Sequence, residues 1–386
     1  MEISDILLYD ETIFKDMSVF NSDYIPEEFN LRHSQMEEMA LSLRPALLKG
    51  KPTNNIILGP PATGKTTAIK KLFEMAELDC SDDLICVYIN CQLHSTKFDI
   101  FSQIYNKLFG HRPPETGVPF ARIYTKIMTE LYDTNKALIV ALDDINHLFQ
   151  GNVISTVFYE ILRAHESFEG VRTGIFAVLS DVEFRYALDK TVGSIFNANE
   201  IHFNPYTYDE TFKILQERAR LGFYPDVISD ELIDRITEYT YERGDLRLGI
   251  DLLRISGNNA EINASRTIQE EDVLKAFESS SSVSLNYILD TLSDKEKHLL
   301  LFIARLNQSI TSGDLHKAYN RENKISYPTF NRLINKLEFL RLIDTTYTGS
   351  GSKGNSRIIT LRFDAKEIKE NLKGSKRPWI RFPTKN

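Results

Sequence analysis

The residues best suited to chemistry lie at positions 59–67, where Gly-Pro-Pro-Ala-Thr-Gly-Lys-Thr-Thr matches the pattern GxxxxGK(S/T). Glycines in such a loop let backbone N–H groups point at phosphate oxygens, and the following helix adds the positive end of its dipole. Lys65 is predicted to reach the β and γ phosphates of ATP or ADP, and Thr66 to place its hydroxyl on Mg²⁺. The residues expected to hold the nucleotide here are Gly59, Pro60, Pro61, Ala62, Thr63, Gly64, Lys65, Thr66 and Thr67.

Two carboxylates follow a second apolar run, residues 138–142. Asp143 is predicted to hold Mg²⁺ through water, beside Thr66, because a nucleotide loop needs an acidic group in addition to its hydroxyl for the metal. Asp144 stands where a hydrolysing protein of this class usually has Glu to polarise the attacking water. Because Asp is one methylene shorter than Glu, we predict that this chain is a weak ATPase.

The elements that must position these residues are visible in the hydrophobic pattern. Apolar, strand-like runs alternate with helical patterns up to about residue 203, as in a parallel sheet with helices on both faces. The predicted strands are residues 55–58, 85–90, 137–142, 172–179 and 200–203. Between residues 207 and 279 only helical periodicity is found, and the serine run 279–282 is predicted to be a linker.

The third part of the chain is predicted to be a winged helix. A capping box at Ser293 and Glu296 opens one helix. Helices at about 311–320 and 327–340 follow, then strands at 342–347 and 357–363 around a glycine-rich tip. The fold class is therefore α/β, with a P-loop domain at 1–205, an all-helical lid at 206–283 and a winged helix at 284–386.

Composition excludes several classes of protein. The chain of 386 residues is 42% apolar and 26% charged, as in a soluble globular protein of two or three domains. Its apolar runs are far too short to cross a bilayer and its acidic start is unlike a signal peptide, so we expect a cytoplasmic protein. Cys80, Cys86 and Cys91 lack paired CxxC spacing, which favours reduced thiols over a zinc site.

Charge is divided unevenly along the chain. The formal net charge is −8, yet residues 284–386 carry 19 Lys and Arg against 10 Asp and Glu, a balance of +9 that leaves −17 for the rest. An acidic body with a basic C-terminal region predicts that only this region meets a polyanion. A solvated basic surface is the alternative.

The second helix of the winged helix has the side chains needed to read duplex DNA. Its predicted inward stripe is Tyr327, Phe330, Leu333, Ile334 and Leu337. The predicted DNA-facing residues are Thr329, Asn331, Arg332, Asn335 and Lys336, joined by Lys353 and Arg357 on the wing. Winged helices also bind proteins, and this alternative stays open.

Three further motifs, residues 24–26 with Arg32, residues 89–91 and residues 244–254, give the chain a family resemblance. With the loop, they resemble AAA+ ATPases of the replication-initiator type, the archaeal origin-binding proteins related to the largest origin recognition complex subunit and to the eukaryotic helicase loader. The resemblance implies that Arg247 reaches the γ phosphate. It also implies a helical insertion that presses on DNA, with Arg112 and Arg122 as candidate contacts. The residues placed near the adenine are Tyr24, Ile25 and Arg32, and Tyr206 is a further candidate for nucleotide binding.

Several positions depart from the pattern of this family. The first sensor, usually Asn, aligns with Ser180, which orients water less well. Residues 188–192 read Leu-Asp-Lys-Thr-Val, so Thr191 replaces the arginine that would act on a neighbour's nucleotide. Ala62 replaces the middle glycine of the loop, a change the backbone is expected to tolerate. These departures predict a divergent paralogue that binds nucleotide and hydrolyses it slowly.

The resemblance implies a chromosome-associated initiator that holds ATP or ADP with Mg²⁺ and binds origin-like double-stranded DNA. Its implied protein partners are the replicative helicase or paralogous initiator subunits. Two alternatives stay open. One is a DNA-binding regulator or repressor that loads no helicase, and the other is a signalling ATPase whose winged helix binds protein.

Overall fold

The computed structural model describes residues 12–21, 23–114, 117–180, 192–340, 342–347 and 357–374. The chain divides into two compact units, Met1–Val273 and Leu274–Asn386. The first unit contains the predicted nucleotide loop and the helices predicted as a lid. The second contains the predicted winged helix.

A five-stranded parallel sheet forms the centre of the first unit. Its strands are β1 Asn54–Leu58, β2 Leu84–Asn90, β3 Ala137–Asp143, β4 Arg172–Leu179 and β5 Ala198–His202. Their order is β2-β3-β4-β1-β5, so β1, which leads into the loop, lies between β4 and β5. Every residue of β3 and β4 is buried, as expected of strands covered on both faces. The predicted α/β class and its strands are confirmed.

Helices cover both faces of this sheet. The helices of the first unit are α1 His33–Leu47, α2 Lys65–Cys80, α3 Lys97–Phe109, α4 Phe120–Thr134, α5 Val153–Leu162, α6 Ala164–Ser167, α7 Tyr208–Gly222, α8 Asp230–Arg243 and α9 Leu246–Ile262. Ile57 packs in a core with α1 and α2, while its neighbour Ile56 packs in a second core with α3, α4 and α5. Successive side chains of β1 therefore enter opposite cores.

The N-terminal segment packs against the lid helices α7 and α9. The Ile13 N–H donates to Glu261 Oε1 at 2.9 Å. The rings of Phe14, Phe20 and Phe223 lie with their centroids between 4.8 and 5.9 Å apart. This segment was predicted to belong to the α/β domain, because so short a piece carries no periodicity that would show its partner.

The second unit has the three predicted helices, the two predicted strands and three further elements. Its elements are α10 Glu270–Thr291, which begins in the first unit, α11 Asp294–Leu306, β6 Ile310–Thr311, α12 Ser312–Asn323, α13 Tyr327–Phe339, β7 Ile343–Tyr347, β8 Arg357–Leu361 and α14 Ala365–Gly374. The capping box of Ser293 and Glu296 is present. The short strand β6 joins the hairpin, giving an antiparallel sheet in the order β6-β8-β7.

The predicted linker at residues 279–282 is wrong, because α10 runs through it. Serine is only mildly unfavourable inside a helix. The Ser279 hydroxyl donates to the Ala276 carbonyl at 2.9 Å, so the helix itself provides a partner for this polar side chain.

Helix α10 is also long, with 22 residues. Its first turn contains Glu270, Glu271 and Asp272, whose charges oppose burial in lipid. In the part of the chain that the structure describes, no helix has both the length and the apolar character needed to cross a membrane.

Candidate nucleotide-binding site and nucleic-acid interface

The phosphate loop joins β1 directly to α2, and two of its glycines are required by lack of space. A Cβ on Gly59 would lie 2.2 Å from the Phe203 carbonyl oxygen. Gly64 has φ +87°, and a Cβ there would lie 2.5 Å from the Tyr206 hydroxyl. The loop thus reaches the N-terminus of α2 in a tight path, and a helix N-terminus favours anions.

Lys65 is the first residue of α2 and is only 6% exposed. Its Nζ donates to the carbonyl oxygens of Gly59 at 2.6 Å and Pro60 at 2.7 Å. The Thr63 hydroxyl donates to the same Pro60 oxygen at 2.9 Å. The loop therefore holds the Lys65 ammonium group against its own backbone carbonyls. In this position the ammonium group would neutralise the negative charge of a nucleotide's phosphate oxygens.

Ala62 lies in the left-handed region, with φ +61°. This conformation is unfavourable for an L-residue with a Cβ by about 1–2 kcal/mol. The sequence analysis expected the backbone to tolerate alanine here. The loop backbone at this residue has a conformation that glycine adopts without penalty, so alanine is accommodated under strain.

Ala62→Gly is expected to raise the free energy of unfolding by about 0.5–1 kcal/mol, because relief of the left-handed strain exceeds the entropy that glycine adds to the unfolded chain. Urea denaturation followed by circular dichroism measures the change. Ala264, with φ +53°, provides a matched variant, and Ala264→Gly should shift stability in the same direction. Ala68→Gly, inside α2, should lower stability. A loss of stability in Ala62→Gly would contradict the strain.

Asp143, at the end of β3, links the sheet to the first turn of α2 through hydrogen bonds. It is 4% exposed, and its Oδ2 accepts hydrogen bonds from the Thr66 hydroxyl at 2.6 Å and the Tyr88 hydroxyl at 2.7 Å. Its Oδ1 accepts the Asp144 N–H at 3.0 Å. Hydroxyl and carboxylate oxygens are the ligands that Mg²⁺ prefers, so Thr66 and Asp143 fit the predicted metal.

Asp144 has an unusual backbone and a perturbed carboxyl. Its φ is +52°, a left-handed conformation that Asp and Asn tolerate better than longer side chains. Burial, and then the charge of Asp143, raise the pKa of the Asp144 carboxyl. The side chains that oppose this rise in pKa are His147, Lys65 and Arg247. Arg247, exposed in the first turn of α9, thus acts electrostatically at the predicted catalytic carboxylate.

Arg32 is buried behind the loop. Its Nε donates to the Thr63 carbonyl at 3.0 Å, and one terminal nitrogen donates to the Asn204 carbonyl at 2.6 Å. Its guanidinium lies 3.9 Å from the centre of the Tyr206 ring. Two residues predicted to bind the nucleotide, Arg32 and Tyr206, therefore contact each other, and Arg32 also supports the phosphate loop through the Thr63 carbonyl.

Tyr24 lies beside an arginine that the sequence analysis did not select. The Arg218 guanidinium is 4.4 Å from the centre of the Tyr24 ring, and Arg218 also donates to the Val19 carbonyl at 2.7 Å. Ile25, next to Tyr24, is half-buried. Arg218 could have been found as an arginine on the apolar face of α7, one turn after Leu215.

The remaining hydrolysis residues are only partly described. Ser180 directly follows β4 and is half-buried. Thr191 and the rest of residues 188–191 lie outside the described residues.

Helices α3 and α4 lie in the region predicted to be the helical insertion. Arg112 and Arg122 are both exposed there. Two lysines of the insertion contact aromatic rings instead, Lys97 over Phe120 at 3.8 Å and Lys126 over Phe109 at 4.4 Å. The two arginines are therefore better placed than these lysines to meet a polyanion.

Helix α13 divides into a buried and a polar face, as predicted. Phe330, Leu333, Ile334 and Leu337 are buried. On the other face Arg332 and Lys336 are exposed, while Thr329, Asn331 and Asn335 are half-buried. Tyr327 was expected to point inward and is 47% exposed, because it stands at the first position of the helix, where it packs against His316 and Phe330.

The wing residue Arg357 is held inside the domain. Its Nη1 donates to Asn335 Oδ1 at 2.8 Å and lies 3.5 Å from Glu338 Oε2. Two residues predicted to contact DNA therefore contact each other, which links the wing to α13. Lys353 lies outside the described residues.

Known proteins match nearly the whole chain. Residues 212–278 match the family described as the Cdc6 AAA+ ATPase-type lid domain. The chain is 56% identical to the ORC1-type DNA replication protein 2 of Methanothermobacter thermautotrophicus, over 95% of this chain and 97% of the relative.

Solved structures share the fold. The ORC2 protein of Aeropyrum pernix, solved as ADPNP-ADP complexes, has a TM-score of 0.72 and 24% identity, covering 93% of this chain and 97% of that one. The ORC1 protein of the same organism, solved in complex with DNA, has a TM-score of 0.68 and 23% identity, covering 95% and 98%.

Proposed function

Because the chain belongs to the family of ORC1-type DNA replication proteins, we propose that it binds ATP and origin-type double-stranded DNA in the initiation or regulation of chromosomal replication. The observation that carries the proposal is the convergence of Thr66 and Asp143, 2.6 Å apart, beside a loop that holds buried Lys65. Strand, loop and helix here have the arrangement needed to bind a nucleotide polyphosphate with Mg²⁺.

In this proposal each of the three predicted domains has a different role. Residues 1–205 bind the nucleotide, residues 206–283 act as the lid that brings Arg247 to the γ phosphate, and residues 284–386 bind DNA. Relatives solved with nucleotide or with DNA support both ligands. A paralogous initiator subunit or the replicative helicase is the protein partner, and the protein is chromosome-associated in the cytoplasm.

Hydrolysis is slow in this proposal. Asp144 is the group that polarises the attacking water, and it is shorter than the usual Glu. Ser180 replaces the Asn of the first sensor. Nucleotide binding then sets the conformation of the protein, and turnover resets it slowly.

Arg332→Ala and Lys336→Ala are each expected to weaken duplex DNA binding and to reduce the salt dependence of log Kd by about one unit for each phosphate that the variant no longer neutralises. Both side chains are exposed on the polar face of α13. Fluorescence anisotropy with labelled origin DNA between low and physiological salt measures the slope. Lys366→Ala, an exposed lysine on α14, is the matched control and should leave the slope unchanged. An unchanged slope in all three variants would favour a protein-binding winged helix.

A further inference from the structure

Tyr88 is a residue of the nucleotide site that no sequence motif selected. It lies on β2 and is half-buried. Its hydroxyl donates to Asp143 Oδ2 at 2.7 Å, and the Thr66 hydroxyl donates to the same oxygen at 2.6 Å. One carboxylate oxygen thus accepts hydrogen bonds from two hydroxyl groups, which belong to two different elements, α2 and β2.

The position of Tyr88 is fixed from both sides. The strand register pairs Tyr88 with Ala141 and Asn90 with Asp143. The backbone of Tyr88 therefore lies two register positions before Asp143, and its side chain extends along the sheet to the carboxylate. On its other side, Lys70 Nζ lies 4.9 Å from the centre of the ring, within the range of a cation–π contact. Lys70 belongs to α2, one turn after Thr66, so the ring is held between helix and strand.

We infer that Tyr88 is a positioning residue for the Mg²⁺ pair of Thr66 and Asp143, an inference that rests on the proposed nucleotide function. A carboxylate that holds a metal needs its orientation fixed by groups outside the metal's own ligands. The Asp144 N–H fixes Oδ1 and the Tyr88 hydroxyl fixes Oδ2. When Thr66 Oγ1 turns to a metal, the tyrosine still holds the Asp143 side chain in place.

Tyr88→Phe tests this role because it removes the hydroxyl and keeps the ring over Lys70. The free Mg²⁺ needed for half-maximal binding of a fluorescent ATP analogue should rise by about tenfold or more, the usual effect of removing an outer-shell partner. The affinity for the analogue in EDTA should not change. A fall in affinity in EDTA equal to that in Mg²⁺ would overturn the inference, since it would indicate general damage to the site.

Two further variants sharpen the test. Tyr124→Phe removes a hydroxyl that donates to the Glu160 carbonyl at 2.9 Å, away from the loop, and should leave the Mg²⁺ dependence unchanged. In an Asp143→Asn background, Tyr88→Phe should add no further change in Mg²⁺ dependence, because both substitutions act through one side chain. An additive effect would overturn the inference.

Failure of the inference and failure of the proposed function give different results. If the unsubstituted protein binds the analogue in a Mg²⁺-dependent manner and Tyr88→Phe binds it with the same Mg²⁺ dependence, the inference is wrong and the function stands. If the unsubstituted protein does not bind the analogue at all, the proposed function is wrong.

Discussion

Lys65→Ala is expected to raise the Kd for ATP by about 100-fold or more, because hydrogen bonds to charged groups are worth about 1.5–3 kcal/mol each and this lysine supplies more than one. Its Nζ already lies against the loop, 2.6 Å from the Gly59 oxygen and 2.7 Å from the Pro60 oxygen. The same ammonium therefore needs only to exchange backbone carbonyls for phosphate oxygens. Titration of a fluorescent ATP analogue in Mg²⁺ measures the Kd.

The matched control for this prediction is Lys71→Ala. Lys71 lies further along the same helix and forms an ion pair with Glu74 at 3.5 Å, so its removal changes charge without touching the loop. Circular dichroism should show both variants folded. A Kd for Lys65→Ala equal to that of Lys71→Ala would contradict the assignment of residues 59–67 as a phosphate loop.

The sheet and the loop could be predicted because their signals are local. A strand buried on both faces is apolar along most of its length, and the prediction of β4 at residues 172–179 agrees with the structure at both ends, although its first residues, Arg172 and Thr173, are polar. The chemistry of Lys65 and Thr66 also follows from their spacing in one short segment, and a strand ending in Asp143 follows from a second segment. Parallel strands then bring the two segments to the same edge of the sheet.

Other features depend on contacts between distant parts of the chain. Tyr88 reaches Asp143 through the register of β2 and β3, which no local pattern reveals. Arg357 was assigned to DNA from its charge, yet Asn335, 22 residues away, accepts its hydrogen bond. The N-terminal segment packs on the lid through Glu261, almost the length of the first unit away. The sequence shows which side chains are present, whereas the hydrogen-bond partner of each side chain depends on the fold.

The identity of residue 144 shows how the backbone limits the chemistry. The family pattern expects Glu, and this chain has Asp at φ +52°. A short side chain that can hydrogen-bond locally with the backbone tolerates this conformation, whereas Glu does so less well. The shorter carboxylate proposed to act on water and the left-handed backbone therefore occur at the same residue, and an Asp144→Glu substitution would introduce strain along with the extra methylene.

Asp144→Asn avoids that strain, because Asn has the same shape and also tolerates the left-handed region. If Asp144 activates water as proposed, this substitution removes the proton acceptor, and the single-turnover rate of ATP hydrolysis should fall by about 100-fold or more. The Kd for ATP should change little, since Lys65, Thr66 and Asp143 remain. Rapid quenching of protein mixed in excess with radiolabelled ATP measures the rate.

Asp226→Asn is the matched control for this last prediction. Asp226 is exposed and has φ +63°, so the substitution exchanges the same two side chains in the same backbone conformation away from the loop. Its hydrolysis rate should equal that of the unsubstituted protein. Equal rates for Asp144→Asn and Asp226→Asn would contradict the role of Asp144 in activating water. If the unsubstituted protein shows a slow multiple-turnover rate and a faster single-turnover rate, product release limits its turnover. Asp144→Asn should then lower the single-turnover rate far more than the multiple-turnover rate.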